Sequence, residues 1–108
     1  MIKARADELV AALRSGKYTQ TNGQLRDGDA FCCLGVACDI SKLGEWNGNK
    51  YFSEEGILPN EVRDYFGFYN SNGGVRDYHT ESCLSELNDK GQSFIEIADF
   101  IETNWERL

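Results

Sequence analysis

Phe31-Cys32-Cys33-Leu34-Gly35-Val36-Ala37-Cys38-Asp39-Ile40 holds a single charged side chain, with small or apolar groups around it. An amphipathic surface helix would carry a polar stripe at 3.6-residue spacing, and this stretch has almost none. A buried strand is disfavoured by Gly35 and Ala37, which pack poorly in strands. The stretch therefore predicts a central helix enclosed by the rest of the chain.

Upstream, Ile2 to about Ser15 reads as a helix. Ile2, Ala6, Leu9, Val10 and Leu13 share one side, Arg14 and Lys17 lie near the C-terminal end, and Gly16 suits the left-handed position beyond it. Lys17 to Arg26 then predicts a hairpin. Asn22-Gly23 between Thr, Tyr and Leu residues is a type I′ turn signal, because that turn needs positive φ at both central residues. Asp27-Gly28-Asp29 is a second turn, and Asp29 is placed to cap the central helix.

Downstream, the central helix should end near Lys42, with Gly44 at or just past its C-terminus. Glu45 to Phe52 repeats the hairpin logic around Asn47-Gly48. Leu58 to Gly67 reads as a short helix with Pro59 at its first position. Phe68 to Tyr78, with Asn70-Ser71-Asn72-Gly73-Gly74 at its centre, reads as an exposed and mobile loop. Thr80 or Ser82 can cap a helix running through Leu84 and Leu87 to Asp89, closed by Gly91. Ser93-Phe94-Ile95-Glu96 is a capping box. Behind it Phe94, Ile97, Ala98, Ile101 and Trp105 fall on one helical face, opposite Glu96, Asp99 and Glu102. The expected fold is α+β and mostly helical: about five helices around the buried central helix, with one or two short β-hairpins.

At 108 residues the chain fits one globular domain, 1–108. No stretch approaches the ~20 apolar residues of a membrane span. Met1 to Arg14 mixes charged and apolar residues, unlike a signal peptide. The expected location is the cytoplasm, a reducing compartment for Cys32, Cys33, Cys38 and Cys83. Net charge is −7, from 18 acidic against 11 basic residues. Such a surface disfavours direct nucleic-acid binding and keeps a small protein soluble. It also suits an acidic mimic of nucleic acid that occupies a basic groove on another protein.

Several phrases together carry a resemblance. They are Ala12-Leu13-Arg14-Ser15-Gly16-Lys17-Tyr18, Gly23-x-Leu25-Arg26, Phe31-Cys32-Cys33-Leu34-Gly35-Val36 and Leu58-Pro59-x-x-Val62. Leu84-x-x-Leu87-Asn88-Asp89-x-Gly91-x-Ser93-Phe94-x-x-Ile97-Ala98-Asp99-x-Ile101 completes the set. This pattern resembles a family of small bacteriophage and prophage proteins marked by the Cys-Cys-Leu-Gly-Val phrase. The resemblance covers most of the chain, apart from the Phe68–His79 loop. It implies a phage accessory protein acting in the bacterial host cytoplasm, and brings no catalytic residues with it.

Chemistry-bearing groups point in few directions. Cys32 or Cys33, Cys38, His79 and Cys83 would supply a zinc ligand set. Residues 33 and 38, however, lie about 140° apart around a helix, and free cysteines commonly pack as small hydrophobes. No metal or cofactor is expected. His79 with Cys83 is the one nucleophilic pairing, but an unremarkable loop histidine near a buried thiol explains it better. The Leu84–Ile101 cadence suggests a helix-turn-helix, yet its last helix is acidic, so a hairpin that packs the core fits better.

One polar cluster remains. Arg14, Lys17, Tyr18, Gln20 and Arg26 crowd the first hairpin, and Arg76, Tyr78 and His79 crowd the long loop. Cations interleaved with aromatics suit an anionic, ring-containing ligand. The expected function is therefore a non-enzymatic phage protein in counter-defence that binds a small nucleotide-like ligand through these eight residues. The alternative is an acidic inhibitor that binds a host defence or nucleic-acid-binding protein. Self-association is left open.

Overall fold

Helix α2 (Cys33–Ser41) lies at the centre, in contact with three other helices and a strand. Every residue from Cys33 to Cys38 is buried. The chain is seen here in a computed structural model that describes residues 1–76 and 83–108. Among them are five helices and five two-residue strands, an α+β arrangement with α2 enclosed. Helix α1 spans Lys3–Arg14, α3 Asn60–Phe66, α4 Leu84–Asp89 and α5 Phe94–Asn104, followed by a 3-10 turn at Trp105–Arg107.

The apolar periodicity decides how these helices pack. Ala6, Leu9, Val10 and Leu13 of α1 and Phe94, Ile97, Ala98 and Ile101 of α5 are buried, and α1 and α5 form the most extensive helix pair. The Ser93 capping box of α5 is present, with the Ser93 hydroxyl accepting from the Glu96 N–H and the Glu96 carboxylate accepting from the Ser93 N–H. Trp105 leaves the α-helical register for the 3-10 turn and stays partly buried.

The Cys-Cys-Leu-Gly-Val phrase is explained residue by residue. Cys32 caps α2, its sulfur accepting the Gly35 N–H at 3.4 Å, so the cap expected at Asp29 is corrected to a thiol. Cys33 donates its N–H to Asn88 Oδ1 at 3.0 Å and its thiol to the Leu84 carbonyl. Leu34 and Val36 are fully buried. Gly35 meets the backbone of Leu25, and a Cβ there would overlap the Leu25 carbonyl oxygen. At the other end Lys42, with φ +55°, takes the left-handed position itself. Gly44 is used differently from the expected helix end: it gives room to the Phe52 ring.

Two small sheets flank α2. Strand β3 (Ala30–Phe31) pairs antiparallel with β2 (Arg26–Asp27) and parallel with β1 (Thr19–Gln20), in the order β1-β3-β2. Strands β4 (Trp46–Asn47) and β5 (Lys50–Tyr51) form the second sheet. The hairpin expected around Asn22-Gly23 is not formed. Its place is taken by β2–β3, closed by Gly28-Asp29, just as Gly48-Asn49 closes β4–β5. Each glycine has φ near +60° while the Asp or Asn after it does not, which is the type II′ pattern. The Gly23 N–H instead donates to Asp89 on α4.

Helix α3 begins at Asn60 with Pro59 preceding it, and Gly67 ends it in the left-handed conformation. The segment after it is packed, in contrast to the exposed loop expected. Phe68 and Val75 are buried, the Leu58 N–H donates to the Ser71 carbonyl, and Gly74 bridges to Cys83. Asn70 organises the turn by accepting the N–H groups of Asn72 and Gly74. The capping position of α4 is held by Cys83, and the expected caps Thr80 and Ser82 lie outside the described residues. No helix of the described residues is long and apolar enough to cross a membrane.

Candidate functional site

The eight residues expected to gather around a ligand are largely committed to the fold. Arg14 donates to Asp99 at 2.7 Å and to Glu102 at 2.9 Å, latching the end of α1 to α5. Glu102 and then Asp99 raise its pKa further and fix its charge. The Tyr18 hydroxyl donates to Asp39 on α2 at 2.6 Å. Burial, followed by that hydrogen bond and the Asp39 charge, pushes the phenol well above the usual tyrosine range.

Arg26 folds back, donating to the Gly28 carbonyl and lying over the rings of Phe31 and Trp46. Lys17 is exposed after α1. Arg76 donates its N–H to the Arg107 carbonyl and stacks on Tyr69. Tyr78 and His79 lie outside the described residues. Arg14 therefore serves the α1–α5 contact, Arg26 the aromatic face of the hairpins, and Arg76 the C-terminal turn.

Among the described members of the eight, Gln20 lines a cavity. Thr21, Asn22, Asn88 and Gly91 complete its wall, and the space is about 380 Å3. Behind it sits a closed amide network. Asn88, 2% exposed, accepts from Gln20 Nε2 and the Cys33 N–H and donates to the Thr21 carbonyl. Gln20 also donates to the Gln92 carbonyl and accepts the Phe94 N–H. Asn88 lies four residues after the buried Leu84, at helical spacing on the inner face of α4. That spacing from Leu84 was the clue the sequence offered to its burial.

A second concavity lies on another face. Tyr51 and Glu54 exchange backbone hydrogen bonds of 2.9 and 3.0 Å across a two-residue turn made by Phe52 and Ser53. Both central residues have positive φ, +52° and +77°. Type I′ turns normally place Asn and Gly there, and the left-handed conformation costs other residues roughly 1–2 kcal/mol each. In this turn the Phe52 ring rests on the Gly44 backbone, edge-on to Tyr51 and still 40% exposed. Rings from Tyr18 through Phe31, Trp46 and Tyr51 lead to it in steps of 4.9–5.7 Å. Phe52, Glu54, Ile57, Leu58, Pro59, Asn60 and Glu61 enclose about 160 Å3. Leu58 and Pro59 are buried beneath it, and Ile57 is 39% exposed. The sequence signal was present in Ser53-Glu54-Glu55-Gly56-Ile57, an acidic run carrying an isoleucine, but Phe52 read as a hairpin arm.

Cys32, Cys33 and Cys38 are free and buried, and burial raises all three thiols above their usual range. Among the described residues no three His, Cys, Asp or Glu side chains are grouped to hold a metal ion. Helices α4 and α5 pack the core through Leu84, Phe94, Ile97 and Ile101, while Asp99 and Glu102 hold Arg14.

A family profile, Domain of unknown function (DUF8296), matches residues 1–105. The chain belongs to that family. No curated protein and no solved structure is significantly similar to it.

Proposed function

We propose that this member of DUF8296 is a non-enzymatic phage accessory protein that binds a host protein, in counter-defence, within the bacterial cytoplasm. The observation that carries the reading is Phe52, whose ring stays 40% exposed on a turn of two left-handed residues and lines one concavity with Ile57, Glu54 and Glu61. Backbone strain of this kind is kept where it positions a group for recognition. Aromatic anchors with polar rims are the usual energetic centres of protein interfaces. The net charge of −7 directs the choice toward a basic partner surface and away from nucleic acid.

The test is capture by the tagged protein from lysate of a bacterial host, at low and at physiological salt. A specific partner retained at both is expected, and an empty eluate even at low salt refutes the reading. A small polar ligand is the second reading, favoured by the 380 Å3 cavity beside Gln20. Arg14 and Arg26 support it less, since each is engaged within the fold. Isothermal titration with cyclic and linear nucleotides, repeated on Gln20→Ala, tests it. Heat that is absent across the panel, or unchanged by the substitution, removes this reading.

A further inference from the structure

We infer that the cavity beside Gln20 binds a small uncharged ring, a nucleobase or a sugar, whose neighbouring hydrogen-bond donor and acceptor are read by the Gln20 and Asn88 amides. The inference rests on the small-ligand reading and specifies which part of the ligand enters and what recognises it.

The amide network behind the cavity leaves one donor and one acceptor over. Asn88 Oδ1 accepts from Gln20 Nε2 and from the Cys33 N–H, both at 3.0 Å, which fills its two lone pairs. Its Nδ2 carries two hydrogens and donates one to the Thr21 carbonyl at 2.7 Å. The other has no acceptor among the described residues. Gln20 donates both Nε2 hydrogens, to Asn88 and to the Gln92 carbonyl. Its Oε1 accepts the Phe94 N–H and keeps a second lone pair. A backbone N–H fixes the oxygen of each amide, so neither side chain can turn over. Asn88 is 2% exposed, and it lines the cavity together with Gln20. Buried N–H groups are normally paired. One left over beside open space points to a ligand acceptor, with the spare Gln20 lone pair ready for a ligand donor.

The rim adds adjustable groups. The Thr21 hydroxyl and the Asn22 carboxamide also line the cavity and hydrogen-bond to no described residue. Each can donate and accept. Gly91 leaves open space where a side chain would stand.

Charge and size decide the class of ligand. The five described residues of the wall are all uncharged. Asp89, next in sequence to Asn88, accepts the Gly23 N–H, and Lys90 lies 3.7 Å from Glu86. A phosphate or carboxylate therefore finds no cation in the wall, and any such group on the ligand stays in solvent. The space, about 380 Å3, lies at the small end for ligand sites and takes one substituted ring.

The test is proton–nitrogen correlation NMR on the whole isotope-labelled protein, which observes the side-chain NH2 groups of Gln20, Asn22 and Asn88 directly. The uncharged probes are uridine, adenosine, ribose and glucose. Uridine monophosphate, adenosine monophosphate and inorganic phosphate are the charged ones. An uncharged probe is expected to shift the Gln20 and Asn88 NH2 signals and the Thr21 and Gly91 amides, leaving Phe52 and Ser53 unmoved. The nucleosides and the sugars separate base from sugar recognition. Where a nucleoside binds, its monophosphate should bind within about twofold of it, because the added charge stays exposed. Thr21→Val and Asn22→Ala should each weaken binding about three- to tenfold, the effect of one hydrogen bond. Neither side chain is bonded within the described fold, and the same spectra show that the variants are folded.

Shifts produced by the charged probes alone, or gathered on Arg14 and Arg26, overturn the inference and leave the small-ligand reading standing. Binding unchanged in both Thr21→Val and Asn22→Ala overturns it as well. Silence from every probe, charged and uncharged, overturns the inference and the small-ligand reading together.

Discussion

Replacing Gly35 by alanine sets helix propensity directly against packing. Inside an exposed helix the change gains about 1 kcal/mol. Here the added Cβ would overlap the Leu25 carbonyl oxygen and come within 2.8 Å of its carbonyl carbon. Neither atom belongs to a flexible side chain. The same carbonyl accepts the Cys32 N–H at 3.1 Å, and Leu25 is fully buried, so this segment cannot move off without breaking contacts. Overpacking of this type costs about 1–3 kcal/mol or more. A buried hydrogen bond lost at the helix cap adds about 1–3 kcal/mol. Set against the propensity gain, Gly35→Ala should destabilise by about 1–5 kcal/mol. A domain of this size would then melt roughly 4–40 °C lower. Urea melts followed by fluorescence of Trp46 and Trp105 measure it, with Gly56→Ala as control because that glycine has open space around it. The control should stay within about 0.5 kcal/mol of wild type. Gly35→Ala as stable as wild type refutes the close approach of Leu25 to α2.

Ser53→Gly should stabilise by about 0.5–1 kcal/mol, because relief at φ +77° exceeds the extra freedom of glycine in the unfolded chain; a loss in thermal melts contradicts the strained turn. Asn88→Ala should cost about 3–5 kcal/mol, since it leaves Gln20, the Cys33 N–H and the Thr21 carbonyl without their partner. A cost under about 1 kcal/mol in chemical denaturation refutes the network. Stability should fall at alkaline pH. Burial raises the Cys32, Cys33 and Cys38 thiols, and burial with Asp39 raises the Tyr18 phenol. The unfolded chain loses these protons from about pH 8.5 for thiols and about pH 10 for the phenol, while the native chain retains them. The contribution is thus full below the unfolded values and is lost as pH rises above them. Urea melts between neutral and alkaline pH should show the decline, with Tyr18→Phe removing the component that begins near the phenol's usual value; a flat profile contradicts it.

The helices were legible in the sequence because each rests on a repeated signal. Leu9, Val10 and Leu13 in α1, and Ile97, Ala98 and Ile101 in α5, repeat at helical spacing, and Ser93 with Glu96 marks a start. Strands two residues long have no room for alternation, so only turn chemistry announced them. Asn22-Gly23 competed with Gly28-Asp29 on those terms, and pairing with β1 and contact with α4 decided it. The Cys32 cap was hidden because a thiol is a weak acceptor. The engagement of Arg14 within the fold was hidden for a different reason. Arg14 and Asp99 are 85 residues apart in sequence, and no local pattern foretells that α5 will present its acids to α1. The second concavity depends on Phe52 adopting a backbone conformation that its residue type disfavours, and propensity alone reads past it.

The latch between α1 and α5 also bears on how the protein is made. At synthesis rates of ~5–20 residues/s, the 85 residues from Arg14 to Asp99 take roughly 4–17 s to follow. Throughout that interval Leu9, Val10 and Leu13 have no α5 to cover them. The nascent chain therefore carries α1 without its most extensive partner, held only by contacts such as those with α2 and α3, until α5 has left the ribosome.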